Sequence, residues 1–433
     1  MPPSLPDLFR VFGRIGLLSF GGPAAQISLM HEELVEKRGW LGEKQFLGAL
    51  SFCMLLPGPE AMQLATYAGW KLRGIPGGLI AGLLFVLPGA AGILALALGY
   101  VAYGQLPLVQ ASFIGVKAAV VAIVLRALLS LSRKALTCWD DWALALSGFG
   151  AMFFLGVPFP YLIAGAALWG FLRTGAEAVA AHDGSLPAPG QTLLTVAIWG
   201  GLWAAPVLLV MALDQTFLRD IALFFSTLAV VTFGGAYAVL AYMTQAVVDT
   251  HGWLSTAQMI DALGLAETTP GPLILVTQFV ALLAGFAQGG LLLGLLAGAL
   301  TLWVTFVPCF LWIFAGAPYV EALLARPRLK GALAAISAVV VGVILNLSLW
   351  FALHVIFADV IESSFGPRPV WSTLMAVNLG LIALAAMLLI WRNWSVLRVL
   401  PLMAALAAVL HLVGGETETT GAFVFPQFAY AAR

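Results

Sequence analysis

The chain has 433 residues, 62% hydrophobic and only 9% charged, with 20 basic and 20 acidic side chains and a formal net charge of zero. A mean hydropathy of +1.01 leaves too little charge to cover a soluble globule, so the sequence describes an all-α polytopic membrane protein embedded in a lipid bilayer. Balanced charge excludes a nucleic-acid footprint; three scattered cysteines (Cys53, Cys138, Cys309) and five isolated histidines fit neither a disulfide framework nor a metal site, so no cofactor is expected.

In chain order, the start "MPPSLPDLFRVFGRIG" lacks the basic region, short apolar core and small-residue cleavage site of a removed signal peptide. Apolar stretches predict helices near 8–30, 45–72, 77–99, 107–130, 140–157 and 159–173. The polar "TGAEAVAAHDGSLPAPGQ" (174–191) leads to an unpaired span at 192–213. A second set follows near 221–247, 257–286, 289–315, 330–357, 371–391 and 395–413. Six, one and six make about 13 transmembrane helices.

The two sets are copies. Residues 20–59 align without a gap on 233–272 at an offset of 213, with 15 of 40 positions identical, including Trp40/Trp253 and a whole Pro-Gly-Pro. Farther on, an offset of 220 pairs Pro88 with Pro308 and "VKAAVVAIVLR" (116–126) with "ISAVVVGVILN" (336–346). The chain thus divides into a first repeat at 1–173, a linker with its unpaired span at 174–220, a second repeat at 221–413 and a tail at 414–433. Because an odd number of crossings separates the copies, they face opposite ways. If spans alternate from a cytoplasmic N-terminus, eleven Lys/Arg fall inside and six outside, which places the C-terminus in the periplasm. That count requires each broken helix to cross the bilayer.

Each repeat carries a helix broken by Pro-Gly-Pro, and paired discontinuous helices point to the substrate site of a secondary transporter. After Pro57-Gly58-Pro59 a half-helix begins, and the N–H groups of Gly58, Glu60 and Ala61 lack intrahelical partners. Gln63 lies one turn on. Such a helix start is electropositive and aims donors outward, and a second arrives at Thr269-Pro270-Gly271-Pro272. Two starts facing one point would cradle an oxyanion; a kink made for packing is the plainer reading. Ser19-Phe20-Gly21-Gly22 and Thr232-Phe233-Gly234-Gly235 form the other duplicated motif. There glycines admit a close approach by backbone or ligand, a hydroxyl can donate, and tight helix packing is the alternative.

Cations inside spans are costly and face a partner or a cavity. Arg14, Lys117 and Arg126 are the candidates for anion contact, with structural ion pairs as the competing account. Lys117 and Arg126 are nine residues apart, on opposite faces of one helix. Glu60 either caps its helix or takes up a proton with the substrate.

The stretches "FGRIGLLSFGGPAAQISLMHEELVEKRGWLGEKQFLGALSFCMLLPGPEAMQLATYAGWKLRG" and "VVTFGGAYAVLAYMTQAVVDTHGWLSTAQMIDALGLAETTPGPLILVTQFVALLAGF" resemble the two signatures of the chromate ion transporter (CHR) family, in its long two-domain bacterial form. The resemblance covers the whole chain. It implies thirteen spans in two inverted halves, and export of chromate across the bacterial inner membrane, driven by the proton gradient as an antiporter, giving chromate resistance. Sulfate, a near-isostere, is then a competitor. The second signature reads "TTPGP" where the first reads "LLPGP", so the two cradles are not equivalent. Other readings are a transporter or channel for sulfate or another oxyanion, and an intramembrane enzyme acting on a lipid phosphate, for which no acid/base or nucleophile cluster is present. Membrane transporters often dimerise, so a homodimer is the assembly to test.

Overall fold

A computed structural model describes residues 3–175, 189–233, 236–324, 326–363 and 366–414. The first repeat folds as α1 (Leu5–Leu18), α2 (Gly22–His31), α3 (Glu43–Cys53), α4 (Glu60–Tyr103), α5 (Pro107–Ala135), α6 (Trp139–Leu155) and α7 (Phe159–Arg173). Next come α8 (Pro189–Ala212), α9 (Thr216–Val231), α10 (Ala236–Gln245), α11 (Thr256–Ala266), α12 (Val276–Gly316), α13 (Val320–Leu324) and α14 (Pro327–Ile356). A short hairpin of β1 (Val360–Ser363) and β2 (Gly366–Pro369) precedes α15 (Ala376–Ala386) and α16 (Val396–Gly414). Among the described residues six helices are long and apolar enough to cross a membrane: α4, α5, α8, α12, α14 and α16. Ala376–Trp391 is a shorter apolar helix.

Local chemistry sets the element ends. Ser4 and Asp7 form a capping box on α1, and Ser255 and Gln258 form one on α11. The stretch predicted as one helix at 8–30 is divided at Gly21 and Gly22, which adopt φ of 85° and 79°. Two left-handed residues in succession end a helix.

The predicted crossing of each broken helix does not occur: the pieces fold back instead. The Phe52 and Tyr67 rings meet, tilted, with centroids 6.1 Å apart across the first Pro-Gly-Pro, where a continuous helix would hold them about 22 Å apart. In the second repeat Tyr100 touches both Asp261 and the Phe279 ring, one on each arm around Pro270. The chain also reverses between α1 and α2 and between α9 and α10. Asp7 and Arg10 share a surface pocket with Arg38 and Trp40, and the Phe224 ring lies 5.7 Å from that of Tyr242. The reason is length: α1 and α3 have 14 and 11 residues, about 21 and 17 Å of helix, well short of a bilayer core of about 30 Å.

A further reversal divides each long helix. α4 turns at Arg73-Gly74 and α12 at Gly289-Gly290. The arms then pack so closely that a Cβ on Gly69 would lie 2.2 Å from the Gly77 carbonyl oxygen, and one on Gly285 would lie 2.8 Å from the Gly294 Cα. The second arms of α4 and α12 run antiparallel through the centre, with Phe314 against Gly78 and Phe310 against Gly82. α14 packs on α5, α6 and α7 around them.

Candidate functional site

The four reversals meet at the centre of the molecule. The Gly58 N–H donates to the Thr232 carbonyl oxygen at 2.8 Å, and the Gly271 N–H donates to the Ser19 carbonyl oxygen, also at 2.8 Å. These two bonds join positions that the offset of 213 aligns: 58 with 271, and 19 with 232. Each Pro-Gly-Pro tip therefore docks on the Ser/Thr-Phe-Gly-Gly tip of the other repeat. Gly58 has φ of 120° and Gly271 has φ of 90°, a region that L side chains avoid. The rest of the surroundings differ. A Cβ on Gly58 would lie 3.0 Å from the Cys309 thiol, whereas beside Gly271 the aligned position is Gly89, whose own Cβ would lie 2.1 Å from the Pro270 carbonyl oxygen.

This geometry corrects the expected cradle. Several expected donors are occupied: Gly58 and Gly271 bind backbone, Ser19 Oγ donates to Ile15 O at 2.6 Å, and Thr232 Oγ1 donates to Leu228 O at 2.5 Å. Thr269 Oγ1 likewise donates to Ala266 O at 2.9 Å. Hydroxyls in apolar helices satisfy themselves on the preceding turn when no better acceptor exists. Pro59 caps α4 without a side-chain bond. Glu60 is half-buried at the first position of α4. Ala61 and Gln63 are buried; Gln63 Nε2 donates to the Pro57 carbonyl at 2.7 Å while its Oε1 has no partner. Pro272 leads into a 3₁₀ turn, Leu273–Leu275, rather than directly into an α-helix. The two breaks are unequal, as "TTPGP" and "LLPGP" imply.

Gly21 and Gly22 form the tip next to Ser19, while Gly234 and Gly235 lie outside the described residues. Gln26, from α2, donates to both the Ser19 carbonyl (3.1 Å) and the Gly271 carbonyl (2.6 Å), clasping that junction.

The cations are not gathered at the tips. Arg14 is exposed on α1. Lys117 pairs with buried Asp261 at 3.5 Å, and Asp261 also accepts from the Tyr100 hydroxyl at 2.9 Å. Arg126 donates to the Trp394 carbonyl at 3.3 Å and lies near enough to Glu267 for their charges to interact. Glu267, beside the second break, accepts from the Tyr237 hydroxyl at 2.8 Å. Sequence reasoning missed Tyr100, Tyr237 and Asp261. An acid inside the apolar run "MIDALGLA" is the signal that marks Asp261; neither tyrosine has one.

A separate cavity of about 240 Å³ opens between α6, α10, α14 and the β hairpin. Its polar lining includes Thr244, Gln245, Asp249 and Asn346 but, among the described residues, no Lys, Arg or His, so these offer no positive charge to an anion.

The chain is similar to known transporters along most of its length. A family model described as "Chromate transporter" matches residues 6–171 and 219–412. A chromate transport protein of Pseudomonas aeruginosa is 34% identical over 355 residues, covering 79% of this chain and 80% of the relative. One of Cupriavidus metallidurans is 31% identical over 345 residues, covering 79% and 81%. A probable chromate transport protein of Synechococcus elongatus is 32% identical over 343 residues, covering 76% and 79%. No solved structure matches.

Proposed function

We propose, from the premise that the chain belongs to the chromate transporter family, that it exports chromate through the junction of its four hairpin tips. The observation that carries this reading is the pair of equivalent bonds, Gly58 to Thr232 and Gly271 to Ser19. A path sealed by two backbone hydrogen bonds, each worth about 0.5–1.5 kcal/mol net, opens at little cost. Parting either tip frees a Pro-Gly-Pro donor for a tetrahedral oxyanion at an electropositive helix start. The matching contacts of aligned positions support two inverted repeats, 1–173 and 221–413, with the linker and unpaired span of 174–220 between them.

Positive charge supports a cytoplasmic N-terminus. Because the first hairpins return to the N-terminal end, Lys37, Arg38 and Lys44 join Arg10, Lys71, Arg73, Arg133, Lys134 and the other basic residues of that end. Arg219 and Arg368 remain on the opposite end. A dianion leaving a negative interior gains about 4–5 kcal/mol per 100 mV, which favours export from the cytoplasm across the inner membrane. Such export confers chromate resistance.

The test is uptake of labelled chromate into inverted membrane vesicles, with the membrane potential and the pH gradient imposed separately and sulfate as competitor. Accumulation that follows the potential, responds to the direction of the pH gradient and is reduced by sulfate is the expected result. Accumulation set by the potential alone, with no response to the pH gradient, would make the protein a passive channel.

A further inference from the structure

Asp261 is an intramembrane acid to which the tip junction gives no task. It stands on α11 with 1% exposure; its Oδ2 accepts from the Tyr100 hydroxyl at 2.9 Å, and its Oδ1 lies 3.5 Å from Lys117 Nζ. The ionisable groups that act on it are Tyr100 from α4 and Lys117 from α5, while α12 adds the Phe279 ring against Tyr100. The partners differ in access: the Lys117 side chain keeps 14% exposure where that of Asp261 keeps 1%. The corner is also built once. Aligned positions place Gly48 at Asp261, Ser337 at Lys117 and Val320 at Tyr100. It is coupled to a tip as well, because α11 packs through Gly264 on Val116 and Val120 of α5, and then runs into the break at Thr269-Pro270-Gly271.

We propose that Lys117 is an anion-binding cation held by Asp261, and that Asp261 takes up a proton when an oxyanion draws Lys117 away. This rests on the transport reading above. Once the ammonium turns to the anion, a carboxylate at 1% exposure loses its counter-charge in a medium that penalises an unpaired ion. It is neutralised by forming an O–H bond on Oδ1 with a proton from water, while Tyr100 keeps its bond to Oδ2. One proton enters for each anion bound, so oxyanion and proton occupy the protein together and move in the same direction, not in the exchange that the family resemblance implies. The proton site is then Asp261 rather than Glu60.

The experiment uses the purified full chain in detergent, weakly buffered near pH ~7.5 with a pH indicator, while calorimetry follows binding of chromate and of sulfate. Sulfate stays unprotonated near neutral pH and so separates proton uptake by the protein from protonation of chromate. The wild type should take up about one proton per anion, and Glu60→Gln should do the same. Asp261→Asn should bind the anion with no proton uptake. The double variant Asp261→Asn with Lys117→Gln leaves no buried charge to hinder folding, and should bind roughly tenfold more weakly, also without uptake. Undiminished uptake in Asp261→Asn, or anion binding by the wild type with no uptake, overturns the proposal while leaving transport standing. Failure of the folded wild type to bind any oxyanion overturns the transport reading and this site with it.

Discussion

Gly58 and Thr232 lie in different halves of the chain, yet the N–H of the first meets the carbonyl oxygen of the second at 2.8 Å. The bond joins the tips of two hairpins, and its counterpart joins Gly271 to Ser19 at the same distance. Both glycines hold positive φ, so the latch depends on residues without a side chain.

Gly58→Ala should therefore disturb the latch more than its size suggests. The new Cβ would lie 2.8 Å from Gln63 Nε2 in a backbone conformation that costs about 1–2 kcal/mol for an L residue. Chromate efflux should fall by roughly tenfold with membrane insertion intact. Replacing Pro57-Gly58-Pro59 by three alanines should abolish it, since a continuous helix uses the donors internally. Normal export by a well-inserted triple variant would show that the anion passes elsewhere.

The folded-back hairpins make a topological prediction. After exposed Cys138 is replaced by serine, single cysteines at Arg38 and Arg73 should label from the same side of the membrane, and one at Arg368 from the opposite side. Opposite-side labelling of positions 38 and 73 would restore a continuous crossing through the first break.

Arg14→Gln should leave chromate export unchanged within about twofold, because the side chain is exposed on α1 and pairs with neither tip. Lys117→Gln should weaken it far more, through loss of the Asp261 partner. The two variants, assayed side by side for efflux at equal expression, separate a surface cation from one at work in the membrane. Equal effects would remove the distinction.

His31 sits at the mouth of the first hairpins, outside the spanning segments, 2.7 Å from Glu43 and 3.1 Å from Glu36. The hydrogen bond to Glu43 leads in raising its pKa from the ordinary 6.5, against some loss of hydration. A raised folded pKa adds stability that is complete below the unfolded value and is lost as pH rises through the folded one. His31→Gln should thus lower the melting temperature in detergent at about pH 5.5 and change it little at about pH 9. An equal loss at both values would mean that the imidazole acts through packing on Phe46 rather than through charge.

Composition alone determined a helical membrane protein, because 9% charge cannot solvate a surface of this size. The duplication, the breaks at Pro57-Gly58-Pro59 and Pro270-Gly271-Pro272 and the resemblance to a family were legible because proline and glycine act on their own backbone. Whether a break bends a helix or reverses it was decided in three dimensions. Gly21 and Gly22 reverse the chain because the arms beside them are too short to span a bilayer and pack on the second arm of α4 instead. The fate of the free donors was equally hidden. Gly58 finds its acceptor 174 residues away at Thr232, and Lys117 finds Asp261 on another hairpin. Hydrogen bonds and ion pairs between distant segments leave no periodicity in the chain, so only the tertiary structure could assign these partners.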